Sequence, residues 1–345
     1  KMPEVVRLQS ATAAGYYDHN FLTVVDRNPS HDWIRERMWK VRAKEVVLAT
    51  GSIERPMVFV DNDRPGVMLA SAARAYVNRY GVKPGNRAVY MTNNSDAYDS
   101  AFTLAEAGVD VGAIVDSREC VPDAVATKAS ELGVEVISGH GIVGVDGKKR
   151  INGVAIAPLS NPSQSRRISC DVICTSGGWS PSIHLSSQSG AKPEWDADQL
   201  CFVPGESVQV ERSCGASRGT FALGDCLREG FEAGSEAARA TGNQVETPNA
   251  PEASETEPLA IEALWEIPSG RSGTRAFVDY QNDVTAGDLR LAVREGYQSV
   301  EHVKRYTTAG MGVDQGKIGN INVIGILAQD FGLDLPEVGT TTFRP

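Results

Sequence analysis

The stretch Glu45-Val-Val-Leu-Ala-Thr-Gly51 decides the fold of this chain. It is a short apolar run, rich in β-branched residues, and it ends in small residues, which is typical of a buried parallel strand followed by a tight turn. Residues 220–225, Thr-Phe-Ala-Leu-Gly-Asp, repeat this pattern and predict a strand over 220–223 closed by Gly224 and Asp225. Such turns let the backbone approach a nucleotide, and an aspartate there can accept hydrogen bonds from a sugar hydroxyl.

A complete β-α-β unit lies between these two segments. Its apolar spacing predicts a strand, a helix and a second strand that ends at Asp116. A further helix and strand extend the same sheet, and an acid at the end of the second strand is typical of a dinucleotide-binding unit. The predicted ranges are 88–91, 98–106, 111–115, 121–132 and 134–138.

The turn of this inserted unit lacks the residues that a nucleotide requires. It reads Thr92-Asn-Asn-Ser-Asp-Ala97 and contains no glycine, so its side chains would crowd a pyrophosphate and Asp96 would repel it. We therefore interpret the unit as a structural Rossmann domain that has lost its nucleotide, with a retained nucleotide site as the alternative. Asp116 is expected to be a solvated carboxylate, the alternative being a ligand of a ribose hydroxyl.

Composition limits the classes of partner. The chain has 34 basic and 44 acidic residues, a net charge of −10, and such a chain is repelled by nucleic acid and by anionic lipid. No apolar run is long enough to span a membrane and no signal peptide is evident, so a cytoplasmic protein is expected. The six cysteines form no Cys-x-x-Cys pair, which argues against a zinc or redox dithiol site.

A polar segment divides the chain. Residues 243–258 hold few apolar side chains and are predicted to be a solvated linker. Beyond it, Thr285 and Asp288 resemble a capping box that begins a short helix over 289–295. A second helix over 299–306 and an apolar segment over 321–328 complete a small helical region.

Several motifs together indicate a family. The segments Gly15-Tyr-Tyr-Asp18, Ala49-Thr-Gly-Ser-Ile-Glu-Arg-Pro56, Asp61-Asn-Asp-Arg-Pro-Gly-Val-Met68 and Tyr80-Gly-Val-Lys-Pro-Gly85 resemble the alpha subunits of heterotetrameric sarcosine oxidases over the whole chain. The runner-up is the related large subunits of opine, proline and cyanide-forming glycine dehydrogenases. The resemblance implies an α/β fold, the two-dinucleotide-domain flavoprotein fold of disulfide reductases, with a truncated first domain and a small helical domain.

The resemblance also implies a domain organisation. We expect a longer subunit, in which a Gly-x-Gly-x-x-Gly strand precedes this sequence and a folate-binding, aminomethyltransferase-like domain follows it. The implied units are a split FAD/NAD-type domain (1–80 and 165–242), an inserted degenerate Rossmann domain (84–164), the linker (243–258), the helical domain (259–337) and the start of the folate-binding domain (338–345).

The helical domain separates the two candidate families. In the dehydrogenases the resembling domain holds a two-iron, two-sulfur cluster on four cysteines, whereas the matching positions here are Asp279, Gln281, Asp314 and Gly319. A cluster requires thiolates, so no iron-sulfur cluster is expected. A hard metal ion on Asp279, Gln281 and Asp314 is the less favoured alternative to ordinary solvated side chains, and we predict no metal site.

The implied function is oxidation of a secondary amine. The resemblance implies FAD in a beta subunit, FMN at the subunit interface, NAD held by this alpha subunit, tetrahydrofolate in the missing domain, and gamma and delta subunits in the complex. We expect no catalytic residue in this chain. The predicted cofactor-binding residues are Thr50, Gly51, Ser52, Gly224 and Asp225, and the predicted partners are these subunits and a small-molecule substrate, with neither nucleic acid nor membrane. A non-catalytic scaffold that binds no cofactor is the hypothesis from a different class.

Two arginines and one cysteine stay ambiguous in the sequence. Arg55 and Arg64 are expected in loops, where they would contact a phosphate or a partner subunit or remain solvated. Cys226 follows Asp225 at a predicted helix start, and a buried thiol is favoured over a reactive one.

Overall fold

A computed structural model describes residues 4–28, 33–253, 260–270 and 275–340. The strands are β1 (Ala11–Tyr17), β2 (Phe21–Asp26), β3 (Arg37–Arg42), β4 (Val46–Leu48), β5 (Ser52–Glu54), β6 (Val67–Leu69), β7 (Arg87–Thr92), β8 (Asp110–Asp116), β9 (Val136–Ile137), β10 (His140–Asp146), β11 (Gly153–Pro158), β12 (Arg166–Ile168), β13 (Val172–Ser176), β14 (Trp179–Pro181), β15 (Pro193–Asp196), β16 (Cys201–Pro204), β17 (Glu211–Ser213), β18 (Phe277–Asp279) and β19 (Val284–Thr285). The helices are α1 (Ala70–Tyr80), α2 (Asp96–Glu106), α3 (Asp123–Glu131), α4 (His184–Gln188), α5 (Leu223–Ala240), α6 (Ala286–Arg294), α7 (Val300–Thr307), α8 (Asn320–Phe331) and α9 (Leu335–Val338).

The inserted unit is built on a parallel sheet with the strand order β6-β13-β7-β8-β9. The predicted β-α-β unit is β7-α2-β8, and β9 extends the sheet as expected. The sheet is wider than the predicted boundaries of the inserted domain, because β6 and β13 come from segments assigned to the split domain. We call this sheet the inserted sheet.

Alternating side chains bury both faces of the inserted sheet. Ala88 and Tyr90 of β7 pack with α1, α2 and α3, while Val89 and Met91 pack on the opposite face. That second face is covered by the antiparallel sheet β10-β11-β12. A strand buried on both sides needs apolar residues at every position, which explains why β7 and β8 appear in the sequence as continuous apolar runs.

The split domain contains the strand predicted before Thr50. This strand, β4, pairs in parallel with β17, with Val46 opposite Glu211 and Leu48 opposite Ser213. β5 pairs with β14, and the meander β1-β2-β3 packs Tyr16 against Leu48 and Leu185. The predicted strand is therefore confirmed, although it is shorter than expected.

The prediction of a strand over 220–223 is wrong. Residues 220–222 are irregular, and α5 begins at Leu223. A strand needs a neighbour for its backbone hydrogen bonds. Among the described residues, none pairs as a strand with 220–222, so the chain turns directly into the helix.

The helical domain follows the polar segment. Residues 243–253 carry no helix or strand, in line with the predicted linker, and 254–259 lie outside the described residues. The capping box is confirmed, because Asp288 N donates to Thr285 Oγ1 and Thr285 N donates to the Asp288 carboxylate at the start of α6. Helices α6, α7 and α8 correspond to the three predicted segments and share one core with Trp265 and Val58.

Candidate dinucleotide site

The first predicted site segment, Thr50 to Ser52, forms the turn between β4 and β5. Gly51 has a φ of 71°, a left-handed conformation that glycine adopts without steric cost. The Thr50 hydroxyl donates to Ser182 O at 2.8 Å, and Ser182 N donates to Gly51 O at 2.8 Å. Two hydrogen bonds to one residue hold the turn in place, while Thr50 itself is exposed.

The second predicted segment lies in the first turn of α5 and not in a loop. Gly224 and Asp225 are the second and third residues of this helix, and its cap residue, Ala222, supplies no side-chain hydrogen bond to the free N–H groups. Asp225 Oδ1 contacts Arg228 Nη1 at 2.8 Å, with both side chains about half exposed. An acidic residue in the first turn is favourable with respect to the helix dipole.

One loop contacts both of the elements that carry these segments. The Ser217 hydroxyl, in the 3-10 turn Gly215–Arg218, donates to Leu48 O at the end of β4. Gly215 N and the Thr220 hydroxyl both donate to the Glu229 carboxylate in α5. This loop therefore contacts β4, which precedes Thr50, and α5, which holds Gly224 and Asp225.

Space is available at both glycines. A Cβ at Gly51 would meet no heavy atom within 4 Å, and one at Gly224 would meet only the Ala253 Cβ at 3.9 Å. A cavity of about 520 Å³ lies along α5 and is lined by Gly224, Asp225, Arg228, Phe231 and the segment 247–253. The backbone at each segment is therefore open to a ligand, as a nucleotide contact requires.

Cys226 is a structural thiol. Its Sγ donates to Thr220 O at 2.9 Å, and burial, with help from the nearby Glu229 carboxylate, raises the pKa of the thiol. Because the thiolate is the reactive form, a raised pKa disfavours reaction. The prediction of a structural cysteine is supported, although the side chain is half-buried.

The glycine-free turn of the inserted domain is buried in the structure. Asp96 accepts a hydrogen bond from Trp179 Nε1 at 3.0 Å, and burial raises the pKa of its carboxyl group. Asn94 donates to Ser176 O and Oγ across the gap between β7 and β13. Side chains of the protein itself thus fill the turn.

Asp116 follows neither predicted alternative. It is fully buried and accepts hydrogen bonds from Arg118 and from the Tyr98 hydroxyl, at 2.7 Å and 2.8 Å for the shortest contacts. It is therefore neither solvated nor free for a ribose. The sequence contained a signal for this pairing, the Asp-Ser-Arg order at the strand end, that our interpretation missed.

Arg55 is also a correction. It is fully buried, donates to Gly177 O and Leu200 O, and lies over the Trp265 ring at 5.8 Å. Burial lowers the pKa of its guanidinium to about 10. It is an internal crosslink and contacts no solvent. Arg64 contacts Asp61 at 2.9 Å and donates to Gly147 O, so it too serves local structure.

The four positions that match cluster cysteines meet around one small cavity. Asp279, Gln281, Asp314 and Gly319 all line it. Asp279 is buried, contrary to the expected solvated side chain, and its carboxylate accepts from the backbone N–H groups of Gln281, Asn282 and Gly310 at 2.7–3.0 Å. Gln281 Oε1 accepts from Asp314 N at 3.3 Å. Hydrogen bonds connect the loops at this position.

The described part of the chain also bears on metal ions and membranes. Within those residues, no group of three or more histidine, cysteine, aspartate or glutamate side chains is arranged to hold a metal ion. No helix there is both long enough and apolar enough to cross a membrane.

Comparison with known proteins links this geometry to a family. Residues 273–345 match the family model described as the sarcosine oxidase A3 domain. The alpha subunit of sarcosine oxidase from Rhizobium meliloti (strain 1021) is 40% identical over 351 residues, which cover 100% of this chain and 34% of that protein. An opine oxidase subunit from the same strain is 23% identical over 363 residues, covering 91% of this chain and 76% of that protein.

A solved structure shows the fold. The L-proline dehydrogenase from P. horikoshii superposes with a TM-score of 0.67 at 20% identity, covering 97% of this chain and 62% of that chain. The predicted two-dinucleotide-domain flavoprotein fold with a small helical domain is confirmed. Along its whole length this chain is homologous to sarcosine oxidase alpha subunits, as its motifs predicted, and it spans about a third of the length of the one from Rhizobium meliloti.

Proposed function

We propose that this chain is the nucleotide-holding part of the alpha subunit of a heterotetrameric sarcosine oxidase. The observation that carries the proposal is the 40% identity to a sarcosine oxidase alpha subunit over the whole chain, against 23% to an opine oxidase subunit. The complex, with beta, gamma and delta subunits in the cytoplasm, converts sarcosine to glycine, hydrogen peroxide and a one-carbon unit carried by tetrahydrofolate.

The cofactors divide the work between subunits. In that complex, FAD held by the beta subunit would accept electrons from the amine, FMN at the interface would pass them to oxygen, and this chain would hold NAD. In this chain the task is to bind and orient a dinucleotide. No side chain of the candidate site needs to move a proton from the substrate.

The residues fit that task. Gly51 and Gly224 present open backbone, and the Thr50 hydroxyl and its hydrogen bond to Ser182 fix the first turn. The first turn of α5 has N–H groups without a side-chain cap, which favour a phosphate charge. Asp225 is half exposed beside the cavity, where its carboxylate can accept from sugar hydroxyls.

The helical domain supports an oxidase over an iron-sulfur dehydrogenase. Its loops are connected through Asp279 and Gln281, whose oxygen atoms accept backbone hydrogen bonds, and thiolates are absent from all four matching positions. Oxygen and amide ligands do not hold an iron-sulfur cluster.

The test uses the full-length subunit, purified with its partner subunits. We expect oxygen consumption and hydrogen peroxide formation with sarcosine that exceed those with L-proline or an opine, and iron far below one atom per subunit. Amine oxidation that requires an artificial electron acceptor, together with two irons and two sulfides per subunit, would instead establish the dehydrogenase alternative.

A second measurement tests the site. The Asp225→Ala complex is expected to retain less NAD after gel filtration than the wild type, because a ribose contact is lost. Asp123→Ala is the matched control, since Asp123 is an exposed acidic residue in the first turn of α3, away from the candidate site. Equal NAD retention in both variants would contradict the assignment of Asp225, and a wild-type complex that retains no NAD would support the scaffold hypothesis.

A further inference from the structure

The carboxyl end of the inserted sheet is where a nucleotide would be expected to bind. In an open parallel sheet, ligands bind outside the carboxyl ends of the strands, at the point where strand order reverses. Here the chain runs outward from β7 through β8 to β9, while β13 and β6 lie on the other side of β7. The reversal point is therefore the gap between β7 and β13.

A segment from after the linker occupies this place. Residues 260–267, which we call the strap, pair with the turn that follows β7. Asn94 and Ile261 form an antiparallel bridge, Glu262 N donates to Asn93 O at 3.0 Å, and Asn93 Nδ2 donates to Glu262 O at 2.7 Å. The turn that follows β7 is thus paired with the backbone of the strap.

The strap also accepts the hydrogen bonds that a phosphate would accept. Ser95, the residue that precedes α2, donates its backbone N–H to Ala260 O at 3.2 Å. Arg118 Nη1 donates to the same carbonyl oxygen at 2.7 Å. A helix start and a guanidinium are the groups that usually hold a phosphate oxygen, and here one peptide carbonyl receives both.

The position expected for ribose is saturated as well. The Asp116 carboxylate receives hydrogen bonds from Arg118 N, Nε and Nη2 and from the Tyr98 hydroxyl, all between 2.7 and 3.3 Å. Two carboxylate oxygens offer about four lone-pair sites. No capacity remains for two sugar hydroxyls.

Beyond residue 262 the strap joins the helical domain. Leu264 packs on the face of the inserted sheet that bears Val89 and Met91, and Trp265 and Ile267 are buried. The Trp265 indole lies directly against Gly325 of α8, because a Cβ at Gly325 would be 2.2 Å from Trp265 Cδ2. Ile267 N donates to Val58 O at 2.9 Å.

We propose that the strap fills the nucleotide crevice of the inserted sheet, so that this sheet anchors the helical domain and binds no dinucleotide. The polypeptide itself is the ligand of the crevice: the Ala260 carbonyl stands where a phosphate oxygen would be, and Arg118 stands where a ribose would reach Asp116. The inference goes beyond the proposed function, which concerns the β4–α5 site, and does not depend on that site binding NAD.

Hydrogen-deuterium exchange on the whole subunit complex tests this. Amides of 92–96 and 260–262 are expected to exchange slowly without added nucleotide and to show no change on saturation with NAD or ADP-ribose. Rapid exchange in these segments without nucleotide, or slowing by either nucleotide, would overturn the proposal. Protection by NAD at 50–52 and 223–226 reports separately on the proposed function.

Two variants show whether the segments are coupled. Arg118→Met and the milder Asn93→Ala are each expected to speed exchange in 92–96 and 260–262 together, by tenfold or more for the first. Arg166→Met is the control, because Arg166 contacts Glu135 in an exposed pair away from the strap. If Asn93→Ala speeds exchange in only one segment, or Arg166→Met has the same effect, the strap is not held as proposed.

Discussion

Two strand ends in this molecule have the topology of a nucleotide site, and they differ in what covers them. At the inserted sheet the turn after β7 is buried under residues 260–262, and a salt bridge between Asp116 and Arg118 lies beneath it. At β4 the turn at Thr50 is exposed, and Gly51 has open space around it. The comparison teaches that the same fold element, a turn after a parallel strand, can be left open or can be filled by a distant segment of the chain itself.

The largest effect is expected when the Arg118 guanidinium beneath the strap is removed. Arg118→Ala leaves the Asp116 carboxylate buried without its partner and frees the Ala260 carbonyl, so we expect a loss of about 3–5 kcal/mol in the free energy of unfolding. Urea denaturation measures this. Arg166→Ala breaks an exposed pair with Glu135 and should cost less than about 1 kcal/mol. Similar losses of unfolding free energy in both variants would mean that the Asp116–Arg118 pair does not hold the strap on the inserted sheet.

A buried carboxyl group near the turn that follows β7 should make the stability of the protein depend on pH. Burial raises the pKa of Glu54 to about 7, against the hydrogen bond from Ser71, and Asp96 raises it further. The folded state then holds a proton that the unfolded state releases, so stability is lost as the pH rises from 4.5 to 7, by at most about 3 kcal/mol. Glu54→Gln should remove this loss, as denaturation at pH 5 and pH 8 would show. An unchanged pH slope in the variant would refute it.

A buried histidine should make stability respond to pH with the opposite sign. Burial, with Lys317 nearby, lowers the pKa of His184 to about 4. The unfolded state binds the proton more tightly, so this contribution to stability is present above pH 6.5 and is lost as the pH falls toward 4, by up to about 3 kcal/mol. His184→Gln is expected to lose less stability than the wild type between pH 7 and pH 4.5, and a greater loss would contradict the assignment.

The smallest effect is expected at the exposed turn that follows β4. Gly51→Ala forces alanine into a left-handed conformation with no steric contact, which should cost about 1 kcal/mol. Gly230→Ala is the matched control, because Gly230 lies inside α5 with open space and alanine there should stabilise by about 0.5–1 kcal/mol. Thermal unfolding of the two variants should shift in opposite directions. A stabilised Gly51→Ala protein would show that the turn is not held as described.

Local pattern predicted those elements whose signal lies in neighbouring residues. The strand before Thr50, the β7-α2-β8 unit and the capping box at Thr285 each depend on residues within a few positions of one another. The strand over 220–223 failed because a strand also needs a neighbour, and none of the described residues supplies one there. Propensity alone does not report such a partner.

The environment of charged residues could not be predicted in the same way. The partners of Arg55 include Leu200 and Trp265, far along the chain, and no local pattern indicates them. The strap carried a weak signal, since Ile261, Leu264, Trp265 and Ile267 follow a polar linker closely. The predicted site residues Thr50–Ser52 follow β4, and Gly224 and Asp225 lie in the first turn of α5, while their role in binding stays a prediction.

The strap has a consequence for the order in which the protein is made. Ala260 contacts Arg118, which precedes it by 142 residues, and Glu262 contacts Asn93, which precedes it by 169. At about 5–20 residues per second, the ribosome takes roughly 4 to 17 s to travel from Ser176, where β13 completes the strands of the inserted sheet, to Ala260. During that interval the strands of the inserted sheet are already synthesised while their carboxyl end lacks its cover, so the newly made chain passes through a state in which this crevice is open.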